Sequence, residues 1–260
     1  MICKDIMSAI EETYPRSAAL DFDNVGLQAG RTTKEVSKIL LALDATSSVI
    51  ELAEKSQADM LITHHPLIFS PLKSITDQDF IGRRILRLIQ DDIAYYAMHT
   101  NYDVLGMTKL SERVLQLKET EVLDVTGEFD GISEGIGRVG MLETSMTLGA
   151  FSEYVKDKLQ LDNVKVFGSL ERKVKKVAIS PGSGKSEIVP ALKHQVDVLV
   201  TGDIGHHEGL DAVEQGLSII DAGHYGTEYM FVEDMKTYLS LRYPEIQIIT
   251  EPVSHPFQII

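Results

Sequence analysis

The residues of this chain best suited to chemistry are histidines at the ends of apolar runs. His64 and His65 directly follow the run Met60–Thr63 and precede Pro66. Neighbouring side chains on an extended strand point to opposite faces, so this pair cannot easily chelate one ion. At a strand end each ring can reach a different ion, and Pro66 biases His65 toward extended backbone. The doublet therefore predicts a pair of bridged metals about 3.5–4 Å apart.

Two further fragments place a histidine four residues before a carboxylate. His99 precedes Asp103, and His224 precedes Glu228. At the start of a helix this spacing brings His224 and Glu228 together, and a glutamate can bridge two cations through its two oxygens. A helix N-terminus also tolerates the negative charge, and Asp103 could cap the first ion in the same way. Nitrogen and oxygen donors without cysteine favour Zn, Mn, Fe or Co over a structural zinc site.

Charge favours two ions over one. Two divalent ions bring four positive charges, while Asp103 and Glu228 bring two negative ones and neutral histidines bring none. The remaining positive charge would lower the pKa of a bridging water and attract an anionic substrate. With one ion the site would be neutral. His99 is interpreted as the catalytic residue, which either orients a ligand or moves a proton.

Other candidate fragments have plainer interpretations. His206 and His207 follow Gly205 in a helix-like run, which favours a supporting or surface role, and His194 and His255 are expected at the surface. The stretch 181–186 resembles a phosphate loop, but Ile179 occupies the position of its first glycine. It is predicted to line the cleft through backbone amides. The polar stretch 21–28 is either a simple turn or a border of the site.

Apolar runs alternate with amphipathic runs along most of the chain, which predicts an α/β fold with largely parallel strands between helical layers. Helices are expected at 5–13, 47–55, 83–90, 109–116, 148–159, 185–193, 204–215 and 227–241. Strands are expected at 39–43, 60–63, 93–98, 164–167, 177–180, 196–201, 217–220 and 246–249. The glycine-rich segment 126–140 is the predicted domain boundary. It gives a first half of residues 1–125, carrying His64, His65 and Asp103, and a second half of residues 126–260, carrying His224 and Glu228.

The two halves look alike in sequence. The run 38–43 corresponds to 176–180, and the run 58–63 corresponds to 196–201. Each Asp-apolar-Leu-apolar-Thr run leads to a histidine pair. We infer a duplication that gives two similar α/β halves with mixed, largely parallel sheets. Ligands collect at the carboxyl ends of strands in such sheets, so a metal cleft is expected between the halves.

Composition narrows the possible partners. The 260 residues carry a net charge of −14, which disfavours nucleic acid over most of the surface. Lysines 173, 175 and 176 are interpreted as a solvated strand edge. The single cysteine excludes an internal disulfide. No apolar segment is long enough for a bilayer and no secretory pattern opens the chain, so a cytoplasmic protein without a membrane partner is expected.

At this point the motifs resemble those of a known family. The chain is similar to the NIF-three-like dinuclear metal-centre proteins, often labelled GTP cyclohydrolase I type 2 homologues. The resemblance covers nearly the whole chain. The fragments that carry it are Asp23–Gln28, Thr63–Leu67, His99–Asp103, Gly135–Gly140, Thr201–Asp203 and His224–Glu228.

The resemblance implies a two-domain α/β/α fold with interlinked halves and a ring-shaped homohexamer whose metal sites face an internal cavity. It also implies a ligand set for two metals, with Glu228 bridging: His64, His65, Asp103, His224 and Glu228. Two departures stand out. The chain is too short for the extra domain that many relatives carry. Val104–Met107 also replaces a Gly-Gly-Val-Asn stretch, which changes the expected substrate contacts beside Asp103.

The expected function is that of a metal-dependent, cyclohydrolase-like hydrolase acting on a small anionic or nucleotide-like substrate. Two alternatives stay open: a metal-binding regulatory or scaffold ring without catalysis, and a metal chaperone. These residues suit the opening of a purine ring, but they suit hydrolysis of a phosphoester or an amide equally well. The sequence therefore predicts the site and leaves the substrate open.

Overall fold

A computed structural model describes all residues from 1 to 260, and they form two compact units. Unit 1 contains Met1–Tyr102 and Phe231–Ser254, while unit 2 contains Asp103–Met230 and His255–Ile260. The division differs from the boundary expected near residue 126, because the chain changes unit at Asp103. It also places Asp103 in the second unit, and it returns residues 231–254 to the first.

The helices and strands alternate over most of the chain. The helices are α1 Cys3–Thr13, α2 Ser47–Ser56, α3 Phe80–Gln90, α4 Thr100–Tyr102, α5 Thr108–Val114, α6 Leu148–Leu159, α7 Ile188–Lys193, α8 His206–Glu214, α9 His224–Glu228 and α10 Met230–Arg242. A short 3₁₀ turn covers Arg16–Ala18 and a π-helical turn covers Asp103–Met107. The strands are β1 Gly26–Ala29, β2 Lys38–Ala42, β3 Met60–Thr63, β4 Ala94–Ala97, β5 Lys118–Phe129, β6 Ile132–Thr147, β7 Lys165–Phe167, β8 Lys173–Ser183, β9 Val198–Gly202, β10 Ser218–Asp221 and β11 Gln247–Thr250. None of the helices is both long and apolar enough to cross a membrane.

Unit 1 is built on a five-stranded sheet in the order β1-β4-β3-β2-β11. The last four strands are parallel, and only β1 runs antiparallel. All residues of β3 and β4 are buried, as expected for central parallel strands covered on both faces. Thr63 at the end of β3 pairs with Ala97 at the end of β4. The chain segments that begin with His64 and Met98 therefore leave the sheet at the same edge.

Unit 2 contains a six-stranded sheet in the order β5-β6-β8-β9-β10-β7. Strands β8, β9 and β10 are parallel, whereas β5, β6 and β7 join the sheet in antiparallel pairs. The fold is thus mixed α/β with two sheets, as predicted. Thr201 of β9 pairs with Asp221 of β10, so the segments leading to Asp203 and to His224 also start from one edge.

The glycine-rich segment 126–140 lies inside unit 2 as part of the β5–β6 hairpin, not as a linker. Its glycines allow close approach of backbone. A Cβ at Gly135 would lie 1.9 Å from the carbonyl oxygen of Asp124 on the neighbouring strand. Gly137 has a φ of +70°, a conformation that favours glycine. The signal that resembled a boundary therefore comes from tight strand pairing.

The sequence repeat appears in the two sheets as matched hydrogen bonds. Asp59 accepts hydrogen bonds from the backbone amides of Ser37 and Lys38 through Oδ2. Asp197 accepts from the amides of Lys175 and Lys176 in the same way. Two residues earlier, Gln57 and Gln195 adopt left-handed conformations with φ of 55° and 54°. These contacts support a repeated β-α-β element in both units.

Candidate metal centre

Unit 1 brings three of the predicted histidines together beyond its central strands. His64 is fully buried, while His65 and His99 are partly buried. One ring nitrogen from each residue lies within 4.8 Å of the other two. The ring centroid of His64 lies 4.9 Å from that of His65 and 5.3 Å from that of His99. This spacing of nitrogen atoms is compatible with metal ligation.

The three rings share one mode of support through Nδ1. The hydrogen bonds join His64 to the carbonyl oxygen of Met98 at 2.8 Å, His65 to Oδ1 of Asp44 at 2.9 Å, and His99 to Oδ1 of Asp23 at 2.9 Å. A carbonyl or carboxylate oxygen only accepts, so Nδ1 carries the proton and donates it. In the neutral ring Nε2 then has the lone pair that a cation requires. Metal-ligating histidines are supported in this way.

Asp23 supports the candidate site through His99, although its sequence context indicates only a turn or a border of the site. Its side chain is fully buried. Besides His99, it accepts hydrogen bonds from the amide of Asn24 at 2.8 Å and from both the amide and hydroxyl of Thr100 at 2.9 and 2.5 Å. Burial raises its pKa, but the hydrogen bonds and the charge of His99 outweigh burial and lower the pKa to about 2. Asp23 is thus an ionised anchor for His99.

Unit 2 places its predicted ligands around Glu228. Within α9, Nε2 of His224 lies 3.1 Å from Oε2 of the buried Glu228, and Nδ1 of His224 bonds Asp203 at 2.7 Å. A carboxylate oxygen of Asp103 lies within 4.8 Å of one from Glu228. The unit therefore combines one imidazole with two carboxylates, and Glu228 lies close to both His224 and Asp103. Asp203 repeats the anchoring role of Asp44 and Asp23.

His224 is protonated at neutral pH when no cation competes. Burial lowers its pKa, but hydrogen bonds to Glu228 and Asp203 and their negative charges raise the pKa to about 9. A cation that binds Nε2 must displace this proton. The donor set fits a divalent metal, because two carboxylates supply charge and the imidazole supplies a borderline nitrogen donor.

The loop 181–186 forms a cradle for Glu228. Gly182 has a φ of +74°, and a Cβ at this position would lie 2.3 Å from Oε1 of Glu228. Its amide donates a hydrogen bond of 2.9 Å to Thr227. Only glycine fits such a close approach. The backbone of this loop therefore packs directly against a predicted ligand, which agrees with the expectation that it lines the site.

The remaining histidines stay outside these groups. His206 and His207 are exposed at the start of α8. His194 makes hydrogen bonds to Glu121 and to the carbonyl of Leu123, both at 3.1 Å, and so ties α7 to β5. His255 is exposed, and its ring centroid lies 5.0 Å from that of Tyr225. The structure thus separates the two histidine doublets by location.

Comparison with known proteins identifies the family. A sequence model of the Duf34/NIF3 (NGG1p interacting factor 3) family matches residues 1–256. The chain belongs to the Duf34/NIF3 family. A Clostridium perfringens relative named "GTP cyclohydrolase 1 type 2 homolog" is 37% identical over 231 residues, which span 88% of this chain and 87% of the relative.

Solved structures of similar proteins share the fold. A Bacillus cereus protein related to NIF3 has a TM-score of 0.91 and 28% identity, and the match covers 100% of this chain and 99% of that one. Reduced HcgD from Methanocaldococcus jannaschii has a TM-score of 0.84 and 34% identity, with 96% and 97% covered. The resemblance inferred from six sequence fragments is therefore confirmed, together with the α/β architecture that it implied.

Proposed function

We propose that this Duf34/NIF3 protein binds two divalent metal ions and hydrolyses a small anionic, nucleotide-like substrate. The proposed metal ligands are His64, His65, Asp103, His224 and Glu228. Glu228 would be a ligand of both ions. Zinc, manganese, iron and cobalt all suit this donor set.

The observation that carries the proposal is the shared anchoring of the imidazoles. His64, His65 and His224 each have Nδ1 against an oxygen acceptor, at 2.7 to 2.9 Å. These hydrogen bonds fix the orientation of the rings before any ion arrives. A ligand set ordered in advance loses little conformational entropy on binding.

The charges of the site suit an anionic substrate. Two divalent ions against two carboxylates leave a net positive charge, whereas the whole chain carries −14. The positive site in an acidic protein would concentrate small anions locally. Bound divalent ions would lower the pKa of water and polarise a carbonyl or phosphoryl oxygen of the substrate.

Within this site His99 is the proposed proton-transfer residue. Its Nε2 accepts a proton from the attacking water and returns it to the leaving group, so that one water is consumed for each bond cleaved. Asp23 holds Nδ1 at 2.9 Å. The buried carboxylate also stabilises the imidazolium that forms between the two proton transfers. Replacement of Asp23 would therefore lower turnover more than metal content.

Metal analysis combined with turnover tests the proposal. Purified protein should contain two equivalents of metal per chain. Glu228→Ala should lose both equivalents and His64→Ala at least one, while circular dichroism shows both variants folded. Wild-type protein should hydrolyse at least one member of a panel of purine nucleotides, phosphoesters and amides. Equal activity in a folded, metal-free variant would contradict the proposal.

The outcomes separate the other candidate functions. Two tightly held metals without any turnover would favour a regulatory or scaffold assembly, and fast reversible release to a chelator would favour a metal chaperone. The homohexameric ring remains a prediction of the family resemblance. Light scattering on the metal-loaded and metal-free protein measures it, and a monomer in both states would contradict it.

A further inference from the structure

Two phenylalanines beside His99 expose their rings to solvent. Phe22 is 62% exposed and Phe69 is 51% exposed. Their ring centroids lie 6.1 Å apart, and the centroid of Phe69 lies 6.4 Å from that of His99 with the rings near perpendicular. Exposed aromatic carbon gains nothing from the hydrophobic effect in the free protein. Clustered next to reactive side chains, such rings indicate a binding surface.

A hydrogen-bonded framework holds the two rings in place. Asn24 donates through Nδ2 to the carbonyl of Ile68 at 2.6 Å, and the amide of Ile68 donates to Oε1 of Gln28 at 2.8 Å. Gln28 in turn donates to the carbonyl of Asn24 at 2.6 Å. The loop that carries Phe22 is thereby joined to the loop that carries Phe69. The rings are exposed on a supported backbone, not at the tip of an unsupported loop.

The same short motif also anchors the proposed proton-transfer residue. Asp23 holds His99, and its neighbours Asn24 and Gln28 hold the backbone next to Phe69. One stretch of polar residues therefore sets the position of a reactive imidazole relative to two aromatic faces. This coupling is expected if the rings place a substrate against His99.

We propose that Phe22 and Phe69 form a stacking surface for a planar heteroaromatic ring of the substrate. The inference rests on the proposed function, and it adds the class of group that the site recognises. Each base has a π-face, so stacking selects a flat ring over a bare sugar phosphate without specifying which base it is. The anionic part of the same substrate would be held by the proposed metal ions.

Binding of mononucleotides tests the stacking surface directly. Isothermal titration of metal-loaded protein would compare GMP, UMP and nicotinamide mononucleotide with ribose 5-phosphate, which has the anion but no ring. At least one nucleotide should bind ten times more tightly than ribose 5-phosphate. Phe69→Ala and Phe22→Ala should each weaken binding of that nucleotide about tenfold, with ribose 5-phosphate unchanged.

Matched variants exclude simpler explanations. Phe80 is 54% exposed in the same unit and stacks with Arg84, so Phe80→Ala removes an equally exposed ring elsewhere and should leave nucleotide binding unchanged. Phe69→Tyr should retain the preference, whereas Phe69→Leu should lose it, since leucine is apolar but not aromatic. Thermal melting should show all variants folded, because these side chains contribute little to the core.

The results distinguish this inference from the proposed function. Nucleotide binding that depends on Phe22 and Phe69 without turnover supports the stacking surface and contradicts the hydrolase. Turnover that both alanine variants leave unchanged supports the hydrolase and overturns the stacking surface. The stacking surface is also overturned if no nucleotide binds more tightly than ribose 5-phosphate. It is likewise overturned if both variants only change the oligomeric state in light scattering.

Discussion

The two histidine doublets follow equivalent strands yet occupy different environments. His64 directly follows β3 and is fully buried, and its amide nitrogen lies 3.4 Å from the carbonyl oxygen of Ala42. His206 and His207 come four residues after β9, where they are exposed at the start of α8. The intervening residues include Asp203, which bonds His224 instead. The two doublets thus differ in their distance from the strand end, which goes with burial of His64 and exposure of His206 and His207.

The two units also differ in the side chains that they offer as candidate metal ligands. Unit 1 groups three imidazoles, whereas unit 2 groups one imidazole with two carboxylates. In both units an aspartate fixes an imidazole through Nδ1, although Asp23 is fully buried while Asp203 is 52% exposed. The two units therefore share the anchoring of an imidazole by an aspartate and differ in their candidate ligands.

The largest effect is expected from replacement of His64 and His65 by alanine. His64→Ala combined with His65→Ala should remove at least one metal equivalent, because both proposed nitrogen donors of unit 1 are lost. His206→Ala combined with His207→Ala is the matched control and should keep the full metal content. Mass spectrometry of metals after dialysis measures both. If the control loses as much metal as the first variant, the contrast between the doublets is wrong.

The next largest effect is expected on metal affinity, when the aspartates that anchor the imidazoles are replaced. Asp44→Asn and Asp203→Asn leave the imidazoles in place but weaken the acceptors at Nδ1, so metal affinity should fall about ten- to hundredfold. Competition with a chelator measures this. Asp211→Asn on the exposed face of α8 is the control and should have no effect. Unchanged affinity in both test variants would contradict the role assigned to these anchors.

Each unit contains one buried carboxyl whose pKa is raised to about 7. Burial is the main cause for both Glu187 and Glu251, and nearby Asp124 and Asp44 add to it. Since the ordinary pKa is 4.5, the folded protein binds more protons than the unfolded chain between about pH 4.5 and 7. The free energy of unfolding should therefore decrease as pH rises through this window.

Glutamine at either position should remove the contribution of that residue to this pH dependence. At pH 8, Glu187→Gln and Glu251→Gln should each raise the free energy of unfolding by about 2–3 kcal/mol, while at pH 4 they should have little effect. Denaturant unfolding at the two pH values measures the difference. Equal shifts at pH 4 and pH 8 would mean that protonation is not the cause.

The smallest effect is expected from substitutions at two matched positions, which test the equivalence of the two units. Gln57 and Gln195 are matched left-handed residues with φ of 55° and 54°. Glycine avoids the Cβ strain of this conformation, so Gln57→Gly and Gln195→Gly should each raise the free energy of unfolding by about 0.5–1 kcal/mol. Gln57→Ala, which keeps the Cβ, should not. Shifts of opposite sign at the two positions would contradict their equivalence.

Much of the central scaffold could be predicted from periodicity. The bounds of β3 at Met60–Thr63 and of α6 at Leu148–Leu159 agree with the expected ones. Helix α7 begins at Ile188, three residues later than expected, because the segment before it forms a turn and Pro190 fits only the first helical turn. Strand β1 was not expected, since it is short, mostly half-exposed and paired with β4 from a distant part of the chain.

The candidate metal ligands could be predicted from the sequence more easily than the aspartates that hydrogen-bond to the imidazoles. Doublets and helical spacing are local, so they identify His64, His65, His224 and Glu228 as candidates. Asp23 and His99 are separated by 76 residues, and Asp44 and His65 by 21. No periodic pattern connects such pairs, because register and loop path decide whether they meet. The glycine-rich segment 126–140 resembled a domain boundary because its sequence does not show its pairing partner. The close contact at Gly135 is made across the β5–β6 hairpin.

The position of β11 in the chain means that the first sheet is completed late in synthesis. This strand, Gln247–Thr250, pairs with β2 at Lys38–Leu41 at the edge of the first sheet. Unit 2 is almost entirely encoded between the two segments of unit 1. A ribosome therefore releases the sequence of the inserted unit before the sheet that precedes it can be finished. His64 and His65 are synthesised early but lie in an incomplete sheet until β11 is available, so metal binding at the proposed site would become stable only after β11 has been synthesised.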